Sequence, residues 1–263
     1  LTTSGFDPRR SPDGTARLFN AGGELWWRDL TTGAESSIIS TATITVVGYT
    51  WANDNTKVIF DFDNGVPANC GIYSINRNGT GLAKITGFLC GDLMPSVNPV
   101  DGRIAFTNGA SGVGYANEDG TGRTIIPNTT TSDKWPTWSP DGLWLSLFNV
   151  GTVRDYYKIK PDGTLRTRLT FGFVGSPTTY EALPAGAWTF DGSHIITIGM
   201  FDPNYSSTKI FAVPADGSGS LISVFTTEGD VGPFLGSVDG NIQGITDTIS
   251  PMVMEKFPAS AAT

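Results

Sequence analysis

The sequence predicts an all-β fold built from six repeats of one four-stranded unit, and three observations support this prediction. The 33 Gly and 16 Pro among 263 residues, with only 16% charged residues, are typical of many short strands joined by tight turns. An Asp-Gly turn motif recurs along the chain at intervals of 40 to 50 residues. After each turn comes a short apolar stretch, and an alternating strand follows further on.

The turn motif lies between the first and second strands of each repeat. Its aspartates are Asp13, Asp54, Asp101, Asp141, Asp191 and Asp239. Gly follows the Asp in all repeats except the second, where Asn55 takes its place, and Gly supplies the positive φ that a tight turn needs. We expect the Asp, Asp141 in the fourth repeat, to accept hydrogen bonds from backbone N–H groups of its own turn.

The remaining strands of a repeat follow from its apolar pattern. A second strand comes directly after the turn, as in KVIFDF (57–62) and LWLSLF (143–148). A third strand alternates, as in GIYSINR (71–77) and YYKIK (156–160). Three repeats continue into a second turn and a fourth strand, as in PDGTLRTRLT (161–170). Hairpins would join these strands into one antiparallel sheet per repeat.

Six such sheets predict a β-propeller, because a single sheet cannot cover both of its faces. Arranged radially as blades, the sheets bury those faces against one another. We therefore expect one propeller domain over residues 1–263. Its blades are predicted at about 1–41, 42–87, 88–128, 129–172, 173–226 and 227–263. Only 23 residues follow Gly240, whereas the fourth repeat needs 28 from Gly142 to Thr170, so we expect three strands in the last blade.

A tryptophan stands three residues before the turn Asp in three repeats, at Trp51, Trp138 and Trp188. Arg10 and Gly236 hold the same place in the first and sixth repeats. Because the residue recurs with the repeat, we interpret it as packing between blades and not as part of a ligand site.

The fourth repeat carries a family resemblance. It reads PTWSPDGLWLSLF and then YYKIKPDGTLRTRLT within residues 136–170, which resembles the WD-repeat-like blade of TolB-like six-bladed propellers and their P-x-W-S-P-D-G motif. The second and fifth repeats also match, through YTWANDNTKVIFDF and GAWTFDGSHIITIG. The resemblance implies a six-bladed propeller and, as in TolB itself, periplasmic contact with other proteins. It specifies a blade and not an activity.

Four of the six repeats carry an acid three residues before the proline that opens the innermost strand. The motifs are Asp92-x-x-Pro95, Asp133-x-x-Pro136, Glu181-x-x-Pro184 and Asp230-x-x-Pro233. In a propeller this segment lies at one mouth of the central channel, so we expect four carboxylates to face that mouth. One interpretation is structural: each acid accepts hydrogen bonds from a neighbouring loop and connects two blades. The other is functional: the acids attract a cation, a basic peptide or an amine.

Aromatic and cationic residues accompany these acids in the variable loops, where binding residues are often found. Lys134 and Trp135 follow Asp133 directly, and Tyr180 precedes Glu181. Such a mixture suits a peptide or a sugar, although Trp135 could equally well only shield its blade. The predicted ligand-binding residues are Asp92, Asp133, Lys134, Trp135, Tyr180, Glu181 and Asp230.

No catalytic residue or cofactor is predicted. The G-x-S-x-G pattern of serine hydrolases is absent, and one histidine, His194, with no C-x-x-C or H-E-x-x-H pattern argues against zinc. DFDNG (61–65) is shorter than a calcium loop, so calcium there stays the weaker alternative. The mouth carboxylates could still act as general acid and base, which keeps a carbohydrate-active or hydrolytic enzyme as the alternative function.

The two cysteines, Cys70 and Cys90, flank the third and fourth strands of the second repeat. Antiparallel pairing of those strands would bring the two residues together, so we predict a disulfide. A disulfide implies an oxidising compartment, the periplasm or the exterior of the cell. Two buried thiols are the alternative.

Charge and hydropathy restrict the partners. With 17 basic and 25 acidic residues the net charge is −8, which would repel nucleic acid. No run of about 18 apolar residues occurs, so we expect no insertion into a membrane. The chain begins at Leu1 and not at Met, which indicates a processed or trimmed chain. We therefore predict a monomeric, non-catalytic binding or scaffold propeller that engages a peptide, protein or glycan at its acidic mouth.

Overall fold

The computed structural model describes residues 6–21, 24–40, 46, 48–63, 66–87, 91–151, 154–171, 186–200, 208–218, 222–227, 234–236 and 242–244. All regular structure in these residues is β-strand, in six antiparallel sheets, which confirms the predicted all-β class. Within the same residues there is no helix of the length and apolarity needed to cross a membrane.

Five of the sheets have four strands that follow one another in the sequence. The first contains β1 (Phe6–Arg10), β2 (Ala16–Ala21), β3 (Glu24–Asp29) and β4 (Glu35–Ser40). The second contains β5 (Tyr49–Trp51), β6 (Lys57–Phe62), β7 (Gly71–Asn76) and β8 (Ala83–Lys84). The third contains β9 (Asp92–Val97), β10 (Ile104–Asn108), β11 (Gly112–Ala116) and β12 (Thr124–Ile125).

The fourth and fifth sheets repeat this order, and the sixth has two described strands. The fourth contains β13 (Asp133–Trp138), β14 (Leu145–Asn149), β15 (Asp155–Ile159) and β16 (Thr167–Arg168). The fifth contains β17 (Ala187–Trp188), β18 (His194–Met200), β19 (Thr208–Pro214) and β20 (Ile222–Thr227). The sixth contains β21 (Phe234–Gly236) and β22 (Ile242–Gly244).

The six sheets form a closed ring. The innermost strands β1, β5, β9, β13, β17 and β21 each contact the next, and β21 contacts β1. The structure is therefore the predicted six-bladed propeller. No four-stranded blade is completed by a strand from the far end of the chain. Residues 245–263 lie outside the described part, so the predicted three strands of the last blade stay a prediction.

The second strands of the second, third and fourth blades are buried on both faces because a neighbouring blade packs on each side of them. In β6 the residues from Val58 to Asp61 are all buried, and in β14 the residues from Leu145 to Phe148 are too. This explains the uninterrupted apolar runs after each turn. One of the resulting clusters joins the second and third blades: Ala52, Ile59, Ile72, Ile85, Ile104, Phe106 and Ala116.

The recurring tryptophans pack between blades, as the sequence predicts. Trp51, Trp138 and Trp188 are 3%, 4% and 9% exposed. The indole N–H of Trp51 donates to the Arg9 carbonyl, and that of Trp188 donates to the Thr137 carbonyl, both at 3.0 Å. Each acceptor belongs to the innermost strand of the preceding blade, so these tryptophans fix one blade against the next.

The turn aspartates also act as predicted. Asp141 Oδ1 accepts a hydrogen bond from the Leu143 N–H at 3.0 Å, and Asp191 Oδ1 accepts one from the Ser193 N–H at 3.0 Å. The hydroxyl of Thr189, the N–H of Ser193 and the hydroxyl of Ser193 together lower the pKa of Asp191 to about 2. These bonds stabilise the ionised carboxylate within its turn.

This depressed pKa predicts an acid-dependent contribution to stability. Since the folded pKa of Asp191 lies below its unfolded value, its contribution is present above about pH 4 and is lost as the pH falls towards 2. Asp191→Asn should keep the turn but remove the titration. At pH 6 we expect the free energy of unfolding of wild type to exceed that of Asp191→Asn by about 1 kcal/mol or less, because solvent screens the charge of an exposed carboxylate. Urea denaturation should show this stability difference decreasing as the pH falls to about 2.5. A stability difference that does not change with pH would contradict the lowered pKa of Asp191.

Candidate functional site

The channel mouth, defined here as the end of the ring where the innermost strands begin, contains two of the predicted acids. Asp92 and Asp133 are the first residues of β9 and β13. Their side chains are 1% and 0% exposed. Both carboxylates are therefore closed to solvent, whereas the functional interpretation of the mouth acids requires carboxylates that a ligand can reach.

Each of the two buried acids is held by an arginine and an asparagine of its own blade. The guanidinium Nη2 of Arg123 lies 3.1 Å from both oxygens of Asp92, and the amide of Asn108 donates to Asp92 Oδ1 at 2.6 Å. In the next blade Arg166 donates to the two oxygens of Asp133 at 2.7 and 2.8 Å. Charge-assisted pairs with this geometry are the strong ones.

Asp133 has further partners. The amide of Asn149 donates to Oδ1, and the N–H of Thr130 donates to Oδ2, both at 2.7 Å. Burial of the Asp133 carboxyl raises its pKa, but the bonds from Arg166, Asn149 and Thr130 outweigh burial and hold the pKa below its ordinary value. The group is a buried, ionised carboxylate whose charge is balanced within the blade.

The role of both acids is therefore structural, but it differs from the predicted one: these partners belong to the acid's own blade, so the bonds tie the strands of one blade together and do not connect two blades. The partners of the two acids recur at similar distances along the sequence, a pattern that the Asp-x-x-Pro motif does not include. In both blades the asparagine stands sixteen residues after the acid, as Asn108 does after Asp92. The arginines stand 31 and 33 residues after it.

Two other buried carboxylates, which sequence reasoning did not assign to this role, connect neighbouring elements. Asp155 forms an ion pair with Arg168 and accepts a hydrogen bond from the Thr170 hydroxyl at 2.8 Å. Asp61 accepts the N–H of Gly48 at 2.9 Å and that of Met94 at 2.8 Å, the latter from the next blade.

The DFDNG segment begins with this Asp61, whose carboxylate is bound to backbone amides. Asn64 and Gly65 lie outside the described residues. The described residues contain no group of three or more His, Cys, Asp or Glu side chains that could hold a metal ion. Calcium at this segment therefore has no support beyond the sequence.

The innermost strands of the third and fourth blades share a strained bulge. Met94 and Trp135 have φ of 58° and 50°, and each directly precedes a proline. The pairing register shifts at both places. The Met94 N–H donates to Asp61, and the Trp135 N–H donates to the Thr107 hydroxyl at 3.1 Å. A non-glycine residue in the left-handed region costs about 1–3 kcal/mol, so these bonds from the preceding blade help to hold a conformation that the chain would otherwise avoid.

The bulge places Lys134 and Trp135 on the same face of the fourth blade. Lys134 pairs opposite Phe148 and so shares its face, and the Trp135 ring lies 6.1 Å from the Phe148 ring. Both side chains are half-buried. Phe148 belongs to a cluster shared with Trp188 and Phe211, so this face is directed towards the fifth blade.

Lys134 has no hydrogen bond or ion pair with any residue in the described part of the chain. Burial lowers the pKa of its ammonium, and the nearby charge of Asp133 opposes this effect. Arginines balance the charges of Asp92 and Asp133, so Lys134 is a cation that no described carboxylate pairs with.

Three predicted mouth residues, Tyr180, Glu181 and Asp230, lie outside the described residues, as does Cys90. Cys70 is 1% exposed, and its sulfur lies 3.1 Å from Asp63 Oδ1. The Cys70–Cys90 disulfide stays a prediction.

Neither a protein-family model nor a curated protein matches the sequence. Solved structures do match it. A putative TolB from Agrobacterium tumefaciens superposes with a TM-score of 0.68 at 17% identity, covering 91% of this chain and 88% of that chain. This chain has a TolB-like β-propeller fold.

Other matched structures belong to different kinds of protein. A chain of the nidogen/laminin complex matches with a TM-score of 0.64 at 12% identity, over 86% of this chain and 83% of that one. An oligogalacturonate lyase in complex with manganese matches with a TM-score of 0.59 at 21% identity, covering 85% of this chain and 66% of that chain. At these identities the likeness establishes the TolB-like fold alone, so function depends on the site.

Proposed function

We propose that this TolB-like propeller is a monomeric, non-catalytic binding module that engages a peptide, protein or glycan at its channel mouth. Lys134 and Trp135 are the proposed contacts. The observation that carries the proposal is a half-buried lysine with no described partner, on the same blade face as a half-buried tryptophan, at a strained bulge. We also propose an extracytoplasmic location, in the periplasm or secreted, which the predicted Cys70–Cys90 disulfide supports.

The chemistry of the pair suits recognition. A half-buried ammonium without a partner has lost part of its hydration, so ligand oxygens that bind it replace little water. Hydrogen bonds to charged groups contribute about 1.5–3 kcal/mol each. The Trp135 ring offers an apolar face for a side chain or a sugar ring. Because Phe148 and the Thr107 hydroxyl hold Trp135, the contact surface is formed before the ligand arrives.

Asp92 and Asp133 enter this proposal as positioning residues. Their arginine and asparagine partners fix the starts of β9 and β13. Met94 lies two residues after Asp92, and Lys134 lies directly after Asp133. Glu181, Asp230 and Tyr180 are proposed as further contacts at the same mouth.

No described residue favours the alternative of a carbohydrate-active or hydrolytic enzyme. General acid–base catalysis needs a carboxyl group within reach of the substrate. Asp92 and Asp133 are buried and bound to arginines.

The test uses the purified chain on an array of neutral and acidic oligosaccharides and on a displayed library of random peptides. Binders found in this way should lose at least about tenfold in affinity for Lys134→Gln, because the variant removes a charged hydrogen bond. The matched control is Lys160→Gln, since Lys160 follows the far end of β15 and lies 5.5 Å from the Trp144 ring.

Thermal unfolding of both lysine variants should equal that of wild type. Binders with the same affinity for Lys134→Gln and wild type would contradict the proposed contact. An absence of any binder on both the array and the library would contradict the binding function itself.

A further inference from the structure

The end of the ring opposite the mouth is formed by the first turns of the blades. Each innermost strand begins at the mouth and ends in its first turn, so these turns lie together at the other end. Neighbouring turns are bonded: the amide of Asn53 donates to the Asn98 carbonyl at 2.7 Å, and the amide of Asn98 donates to the Gly142 carbonyl at 3.0 Å. We call this surface the turn face.

Three large apolar side chains project from the turn face in consecutive blades. Val100, Leu143 and Phe190 are 69%, 60% and 64% exposed. They stand directly beside the turn Asp-Gly pairs of the third, fourth and fifth blades. The turn requires the Asp and the Gly but places no demand for an apolar residue beside them.

These three turns are in contact with one another. A carbon atom added to Gly142 would lie 3.1 Å from Val100 Cγ2, and one added to Gly192 would lie 3.9 Å from Pro140 Cδ. The third turn therefore abuts the fourth, and the fourth abuts the fifth. Exposed apolar side chains that are close together mark interaction surfaces far more often than single ones do.

Acidic side chains occupy the same face as these apolar residues. The first turns carry five exposed aspartates in the described residues: Asp13, Asp54, Asp101, Asp141 and Asp191. Arg103 forms an ion pair with Asp101 at 2.8 Å. Asp141 and Asp191, the acids nearest to Leu143 and Phe190, have no ion pair with a lysine or arginine among the described residues.

We propose that the turn face is a docking surface for a basic segment of another protein, in which lysine or arginine residues flank apolar side chains. The apolar residues of the segment cover Val100, Leu143 and Phe190, while its cations approach Asp141 and Asp191. A second copy of this chain would bring two sets of aspartates together, and an anionic membrane or a nucleic acid would be repelled in the same way. This surface is independent of the proposed mouth site, because it lies at the other end of the ring.

The test measures binding of three labelled synthetic peptides to the whole chain by fluorescence anisotropy at physiological salt. One peptide combines Lys and Leu, the second replaces each Leu with Ser, and the third replaces each Lys with Glu. We expect only the Lys-Leu peptide to bind. Its affinity should fall at least tenfold for Leu143→Ser/Phe190→Ser and also for Asp141→Asn/Asp191→Asn, because Asn keeps the turn acceptor but removes the charge.

Leu82→Ser is the matched control, because Leu82 is 50% exposed and directly precedes β8, the outermost strand of the second blade. Leu82→Ser should not change the affinity for the Lys-Leu peptide. The single variant Leu143→Ser changes the turn face less than the double variant does and should lower this affinity by a smaller factor. Unchanged affinity in both double variants would overturn the proposal, as would equal binding of the Lys and Glu peptides. A wild-type dimer in analytical ultracentrifugation that dissociates in Leu143→Ser/Phe190→Ser would also overturn it, in favour of a second copy.

Discussion

Arg166→Met is expected to lower the free energy of unfolding by about 3–5 kcal/mol, because it leaves the carboxylate of Asp133 buried without its cation. Arg166 donates two hydrogen bonds to Asp133 and is itself only 20% exposed. Urea denaturation at pH 7 measures this loss. Since the variant carboxylate is no longer stabilised in its charged form, its pKa should rise above the ordinary value. The stability difference from wild type should then narrow as the pH falls through this raised pKa towards the lowered pKa of wild type.

Two further variants separate the buried charge from a general effect of losing a cation. Lys57→Met breaks the exposed ion pair between Lys57 and Glu118, whose two side chains are 38% and 36% exposed. This variant should lower the free energy of unfolding by less than about 1 kcal/mol. Arg166→Met/Asp133→Asn removes both charges and should recover part of the loss. A loss below about 1 kcal/mol for Arg166→Met alone would show that Asp133 reaches solvent.

Trp51→Ala is expected to cost about 3–5 kcal/mol, because it removes a large side chain that packs between the first two blades and leaves a cavity. Trp51 is 3% exposed and contacts a cluster that contains Leu18, Val58 and Phe60. Trp51→Phe should cost less, about 1–2 kcal/mol, since it keeps an aromatic ring but loses the hydrogen bond to the Arg9 carbonyl.

The exposed aromatic Phe190 provides the control for this prediction. Phe190→Ser should leave the free energy of unfolding within about 0.5 kcal/mol of wild type, because the ring is already in solvent. Denaturation curves of the three variants would reject the packing role of Trp51 if Trp51→Ala and Phe190→Ser were equally stable.

The propeller could be predicted from the sequence because its determinants are local and repeated. The Asp-Gly turn and the apolar run after it lie within about ten residues, and their recurrence gives the number of blades. The predicted strand KVIFDF coincides with β6, and the role of the turn Asp is confirmed at Asp141 and Asp191. Each of these features depends on neighbours in the sequence and not on distant residues.

The environment of the mouth acids could not be predicted in the same way. The strand begins at Asp133, three residues before the predicted start at Pro136. Whether the Asp133 carboxylate is open or buried depends on Arg166, which reaches it only after a four-stranded sheet has formed. Lys134 and Trp135 are adjacent in a strand, where alternation would direct their side chains to opposite faces. Only the register shift and the left-handed Trp135 place both beside Phe148, and a left-handed residue before proline is not predicted by any local preference.

The central claim is that the mouth acids stabilise the blades and leave Lys134 for a ligand, and the pKa of Asp133 tests it most directly. Carbon-13 NMR of the side-chain carboxyl during a pH titration of wild type measures this value. The buried pair with Arg166 predicts a pKa below the ordinary value of 3.8. A pKa above 3.8, as like charges impose on an open carboxylate in a ring of acids, would contradict the account.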